Sequence, residues 1–163
     1  MTILRSLTPA RAATLVLIGA LAPLAVALAA QYWGGLYPCV LCIYQRWALL
    51  AAGLLAAPAI FLETKPKAAR LFLALAGLAA LVGAGIAVFH VGVERHWWQG
   101  TVECTTQFKA GMTAQEFEAA ILAAPVVRCD EVAWSLFGIS MAGYNVLYSG
   151  ALAAFALWQA RRH

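Results

Sequence analysis

Cys39-Val40-Leu41-Cys42, with Arg46 four residues beyond the second thiol, is the stretch of this chain best equipped for covalent chemistry. A bridge across two intervening residues restrains little chain, so Cys-x-x-Cys is a poor staple and a common redox centre. If the following helix begins near Pro38, a residue tolerated in a first turn, both thiols lie on one face of its N-terminus and Arg46 extends that face. The helix dipole and a guanidinium both favour thiolate over thiol. Cys104 and Cys129 complete a count of four cysteines. Four thiols allow three connectivities, of which Cys39 with Cys42 and Cys104 with Cys129 is the natural one. The second bridge would close 24 intervening residues, an entropic gain of roughly 3 to 4 kcal/mol that would suffice for a structural staple. Zinc competes for such pairs, but a closed site needs four ligands. No second Cys-x-x-Cys is present and His90 and His96 sit in no ligand motif, so no metal is expected.

The elements that must position these thiols are membrane helices. Of 163 residues, 64% are apolar and 11% charged, with a mean hydropathy of +0.81; soluble domains have about 25% charged residues. No Asp, Glu, Lys or Arg occurs in 12–45, 47–62, 71–93 or 132–160. A spanning helix needs about 20 residues, so four spans are expected at about 12–33, 40–62, 71–91 and 142–160. Gly34, Gly35 and Pro38 separate the first two. The runs are unbroken and rich in Ala and Leu rather than alternating, which excludes a β-barrel. The expected fold is an all-α integral membrane protein, one four-helix transmembrane bundle over 1–163, with a long loop, about 94–133, between the third and fourth helices. Gly77, Gly83 and Gly85 suit close helix packing.

Charge orients the bundle. Arg5, Arg11, Lys65, Lys67, Arg70, Arg161 and Arg162, seven of the eleven basic residues, fall on one side, which the positive-inside rule makes cytoplasmic. Both termini share that side. Six of the seven acids lie in the long outer loop, and Tyr32, Trp33, Tyr37, Trp97 and Trp98 mark the outer interface as aromatic belts do. The net charge of +4 therefore reports topology, and nothing supports a nucleic-acid partner. The first apolar run exceeds the 7 to 15 residues of a signal peptide and is expected to be retained. In the outer loop, Thr113-Ala114-Gln115-Glu116 has the pattern of a capping box, leading into Phe117, Ala120, Ile121 and Leu122 at helical spacing. Tyr144 and Asn145 are candidates for hydrogen bonds between helices.

The run Pro38-Cys39-Val40-Leu41-Cys42-Ile43-Tyr44-Gln45-Arg46, four spans and a second cysteine pair in the outer loop resemble the DsbB family, bacterial inner-membrane thiol oxidases. The resemblance covers essentially the whole chain, with Trp134-Ser135-Leu136-Phe137-Gly138 as weaker support. It implies a thiol:quinone oxidoreductase that reoxidises a periplasmic DsbA-like thiol oxidase and passes electrons to a membrane quinone, ubiquinone or menaquinone. On that resemblance Cys104 and Cys129 meet the partner, Cys39 and Cys42 form the membrane-proximal pair, and Arg46 lies beside the quinone. Glu94, Arg95 and His96 are candidates for the polar residues that the family places near the quinone. His90 is a further candidate, for a quinone carbonyl or for proton transfer, against the plainer role of a packing histidine. Three other readings compete: a structural membrane protein with inert bridges, an oxidase like vitamin K epoxide reductase, and a relay carrying reductant outwards. The last would need thiols on the cytoplasmic side, and none lie there.

Overall fold

A hydroxyl cap and a proline open the first helix, α1 (Pro9–Tyr32): Thr8 accepts a hydrogen bond from the Arg11 amide at 3.3 Å, and Pro9 occupies the first turn, where its missing N–H costs nothing. The computed structural model describes residues 7–104, 113–122 and 127–162, with side chains 117, 120 and 121 excepted. Arg5, Lys109 and the expected apolar face of Phe117, Ala120 and Ile121 lie outside what is described. After α1 come α2 (Val40–Ile60), α3 (Pro66–Glu94), a short loop helix α4 (Ala114–Leu122), the strands β1 (Ser135–Leu136) and β2 (Ile139–Ser140), and α5 (Met141–Arg161). The fold is the expected four-helix membrane bundle.

One feature departs from the all-α expectation. β1 and β2 form an antiparallel hairpin with Ser135 opposite Ser140 and Leu136 opposite Ile139. Its turn residues, Phe137 and Gly138, both have positive φ (51° and 76°), the backbone that a two-residue hairpin needs to match strand twist. The Trp134 to Gly138 stretch is therefore a turn that delivers the chain to α5.

α1, α2 and α3 are each long and apolar enough to cross a membrane. α5 matches α2 in length at 21 residues but carries Tyr144, Asn145, Tyr148, Ser149 and Gln159. Two of these polar groups are satisfied by other helices: Tyr148 donates to the Gly19 carbonyl of α1 at 2.7 Å, and Asn145 reaches α2. That is how a helix with lower hydropathy remains compatible with lipid, where an unsatisfied polar group would be costly.

α3 lies centrally, packed on α2 and α5, and α1 packs on α2. The main core is built mostly from alanine, among them Ala12, Ala13, Ala52, Ala56, Ala76, Ala80, Ala153 and Ala156, with Val16, Leu49, Leu73 and Leu152 filling between them. Small residues let the backbones approach closely, so dispersion and interhelical hydrogen bonds can hold helices where lipid gives no hydrophobic drive. A Cβ on Gly77 would sit 2.8 Å from the Leu157 side chain, so α3 and α5 require a glycine there. Gly85 meets nothing within 4 Å and has no such role.

Candidate active site

At one end of the bundle a second, separate core contains Cys39, Leu41, Val93, Cys104 and Cys129, with Cys42, Ile86 and Val127 packed against it. All four cysteines of the chain therefore meet in one cluster.

Cys39 is the N-cap of α2, and Pro38 precedes the helix instead of lying in its first turn. The Cys39 sulfur accepts the Cys42 amide at 3.3 Å and lies 2.8 Å from the Cys42 sulfur, to which it donates. Sulfur thus does the work that a Ser or Asp oxygen usually does at a helix start. Cys39 is 4% exposed, whereas Cys42 is more open. Both are free thiols here, while Cys104 and Cys129 form a disulfide with Cα atoms 5.0 Å apart. The loop pair is braced locally, by Cys104 N–H to Thr101 O at 2.8 Å and Cys129 N–H to Cys104 O at 3.2 Å. Tyr44 on α2 donates to Glu103 at 3.0 Å, tying the residue before Cys104 to the helix of the other pair.

His90 is brought to the thiols. Its Nε2 lies 3.6 Å from the Cys39 sulfur and its ring is 4% exposed. Behind it runs a chain of side chains across three helices: Gln45 Nε2 lies 3.0 Å from His90 Nδ1, Asn145 donates to Gln45 Oε1 at 2.6 Å, and Ser149 donates to Asn145 Oδ1 at 2.8 Å. With that polarity His90 Nδ1 is an acceptor and Nε2 carries the proton facing sulfur. The expectation for Asn145 is met by an interhelical bond. Tyr144 instead donates to the Leu136 carbonyl of the hairpin at 3.1 Å.

Gln45 is a site residue that the cysteine motif alone does not single out, although an amide three residues after Cys42 in an apolar run is the kind of costly polar group that marks function. Gln31, near the end of α1, is another. Arg46 donates to Gln31 Oε1 at 2.5 Å and to the Ala27 carbonyl at 3.3 Å. Its guanidinium is thus anchored on α1 beside the Cys42 face, and not hydrogen-bonded to sulfur. Cys42 and Arg46 are both partly exposed on one side of α2, which leaves a thiol and a cation open to an apolar ligand. A cavity of about 550 Å³ lined by Ala25, Val26, Leu28, Ala29, Tyr32 and Trp33 is a different place. At 100° per residue those positions face away from Ala27 and Gln31.

Of the three polar residues ending α3, only Glu94 joins the site. It lies 3.9 Å from His90 Nε2 and accepts a short hydrogen bond from Ser140, the N-cap of α5. Arg95 and His96 are exposed. His96 adopts φ 57°, and the bonds His96 N–H to Val93 O and Trp97 N–H to Gly92 O make a Schellman motif. These two residues therefore terminate the helix, with Trp98 folded back so closely that a Cβ on Gly92 would meet its ring. Further out, the expected capping box forms: Thr113 N–H reaches Glu116 at 2.8 Å and Glu116 N–H reaches Thr113 at 3.3 Å. Those bonds hold the Glu116 carboxyl below its usual range. Asp130, next to Cys129, is lowered by its fork with Arg128 at 2.6 and 2.9 Å.

A membrane helix bundle that packs a helix-cap dithiol against a loop disulfide defines a class, the integral membrane thiol oxidoreductases. The family model for the disulfide bond formation protein DsbB matches residues 9–159, and the chain belongs to that family of thiol:quinone oxidoreductases. It is 34% identical to disulfide bond formation protein B of Shewanella sp. (strain MR-4), covering 97% of this chain and 91% of that protein. The protein of the same name from Actinobacillus pleuropneumoniae is 35% identical over 78% of this chain and 70% of its own length. That of Stutzerimonas stutzeri is 26% identical over 98% and 99%. No solved structure matches. Family membership sets aside the inert-bridge reading.

Proposed function

We propose that this chain reoxidises a DsbA-type thiol oxidase in the periplasm and delivers the electrons to ubiquinone or menaquinone in the bacterial inner membrane. Both termini would face the cytoplasm and the cysteine cluster the periplasm, on the strength of the basic residues Arg11, Lys65, Lys67, Arg70, Arg161 and Arg162 at the opposite ends of the helices. The observation that carries the reading is the single buried cluster holding both cysteine pairs.

The partner thiolate attacks Cys104, and Cys129 leaves as the thiolate. Cys129 then attacks Cys39 of a Cys39–Cys42 disulfide, breaking it and releasing Cys42 as thiolate. The partner's second thiol displaces Cys104, the partner leaves as its disulfide, and Cys104 re-forms its bond with Cys129, freeing Cys39. Attack at Cys39 suits its place in the buried cluster with Cys129, and the more open Cys42 faces the side where Arg46 waits. A quinone bound there supplies the oxidising power, accepting two electrons and two protons. Arg46, fixed by Gln31 and Ala27, holds a positive charge where negative charge develops in a medium of low dielectric. His90 presents an N–H to Cys39, held in that orientation by Gln45.

The test uses purified protein, reduced DsbA and a soluble quinone, following quinone absorbance and partner thiols together. Wild type consumes quinone in proportion to the thiols lost, and Cys42→Ser does not. Quinone consumption no faster than that of Cys42→Ser would refute the reading. Arg46→Ala slows quinone reduction and largely spares exchange with the partner; equal damage to both half-reactions would refute the division of roles.

A further inference from the structure

Spacing in the sequence offers no metal motif, yet the fold brings together what the spacing keeps apart. The Sγ atoms of Cys39 and Cys42 and one ring nitrogen of His90 all lie within 4.8 Å of one another. We infer that the reduced Cys39–Cys42 pair together with His90 is a binding site for a soft divalent cation, zinc or cadmium, which would arrest the enzyme in its reduced form. The inference uses the same side chains as the oxidase reading and adds a ligand that competes with disulfide formation.

Two thiolates and an imidazole are a donor set for zinc and its congeners. Tetrahedral coordination with metal–sulfur bonds of about 2.3 Å spaces two sulfurs about 3.8 Å apart, so the pair, at 2.8 Å, needs to open by about an ångström. His90 Nε2, at 3.6 Å from Cys39, is already near ligand spacing. Glu94 lies 3.9 Å from Nε2 but outside the group of three whose ligand atoms close on one another, so the fourth position falls to water.

Charge favours the exchange. Two thiol protons leave as one divalent cation enters, so the site gains no net charge in a medium where an uncompensated charge is costly. The nitrogen must be bare to bind, which requires the proton on Nδ1. The side-chain chain behind the ring accommodates that by reversing: Nδ1–H donates to Gln45 Oε1, the Gln45 amide to Asn145, and the Asn145 amide to Ser149, each side chain keeping the same neighbours. A histidine ligand that donates its second N–H to a fixed acceptor is the usual arrangement of metal sites. Oxidation to the Cys39–Cys42 disulfide removes both thiolates, so the cation binds one redox state only.

Cadmium itself is the probe, titrated into the full-length chain after phosphine reduction, in a Cys104→Ser/Cys129→Ser background that leaves only the membrane-proximal thiols. One cadmium per chain should bind, read from thiolate-to-cadmium absorption in the near ultraviolet, and none after oxidation with diamide. Removing an outer-sphere partner typically weakens metal affinity about 10- to 100-fold. Gln45→Leu is expected in that range and His90→Ala at least at its upper end. Cadmium-113 NMR of the background protein reads the donors without touching His90. A nitrogen in the coordination sphere supports the site, and sulfur donors without nitrogen overturn it, as does the absence of a cadmium band or His90→Ala binding unchanged. The quinone assay on wild-type protein separates the two readings. Turnover without a cadmium site defeats this inference alone, whereas a cadmium site without turnover defeats the oxidase reading and leaves the cation site standing.

Discussion

The two cysteine pairs share one cluster and are held in opposite ways. Cys39 and Cys42 sit on a helix cap, backed by side chains from α2, α3 and α5 that are hydrogen-bonded in series. Cys104 and Cys129 are held by their own disulfide, a turn at Thr101, a link from Tyr44 and the approach of the His90 ring to the Cys129 backbone. The difference matches the tasks: the pair facing a quinone must be oriented against fixed polar groups, whereas the pair meeting a protein must leave its place to exchange. Deep support and shallow support also fail differently under mutation.

The sharpest break of this contrast is Gln45→Leu. It strips His90 and Asn145 of a shared partner inside the bundle, a cost of about 1 to 3 kcal/mol in stability. Quinone reduction should fall at least tenfold while thiol exchange with the partner, followed by mixed-disulfide trapping, changes less than twofold. An equal fall in both steps would erase the distinction between the pairs. Gly77→Ala provides the comparison far from sulfur. The new methyl meets Leu157, and the overpacking should cost about 1 to 3 kcal/mol, read as a lower midpoint of thermal unfolding in detergent with both half-reactions reduced alike.

How much of this was open to sequence reading follows from the range of each interaction. The four spans, the capping box and the cysteine motif rest on local composition and spacing, although α3 runs beyond its charge-free stretch at both ends, Pro66–Glu94 against an expected 71–91. The placement of His90 against Cys39 depends on how α3 packs on α2, which no local pattern encodes, so His90 stood beside Arg95 and His96 as one of several candidates. Those two proved to be the helix stop, because the αL turn at His96 swings the chain away. Arg46 was found by its charge, but its anchor Gln31 lies on another helix. The hairpin at Phe137 and Gly138 was passed over because a two-residue strand has too little alternation to register.

Smaller effects refine the shallow side of the comparison. Tyr44→Phe removes the bond to Glu103, a neutral-to-charged hydrogen bond at an exposed position, and should slow transfer between the pairs a few-fold in stopped-flow measurements without altering quinone binding. His96→Gly relieves an L-residue from a left-handed conformation and should raise stability by about 1 kcal/mol with unchanged turnover. The least effect belongs to Asp130. Its carboxyl is held below its usual range by Arg128, so the ion pair contributes above the unfolded value of about 3.9 and the contribution is lost as pH falls through the lower folded value. Between pH 5 and 8, Arg128→Ala should therefore differ from wild type by a constant small amount, converging with it only in acid unfolding.

Because the Cys39 sulfur is also the N-cap of α2, every turnover changes the strength with which a transmembrane helix is started. Closing the Cys39–Cys42 bond pulls the sulfur that accepts the Cys42 amide towards Cys42 and re-aims its lone pairs, so the first turn tightens and slackens with the electron count. Amide exchange at Cys42, slow in the reduced protein and faster when Cys39 is disulfide-bonded, would make the backbone itself a reporter of redox state.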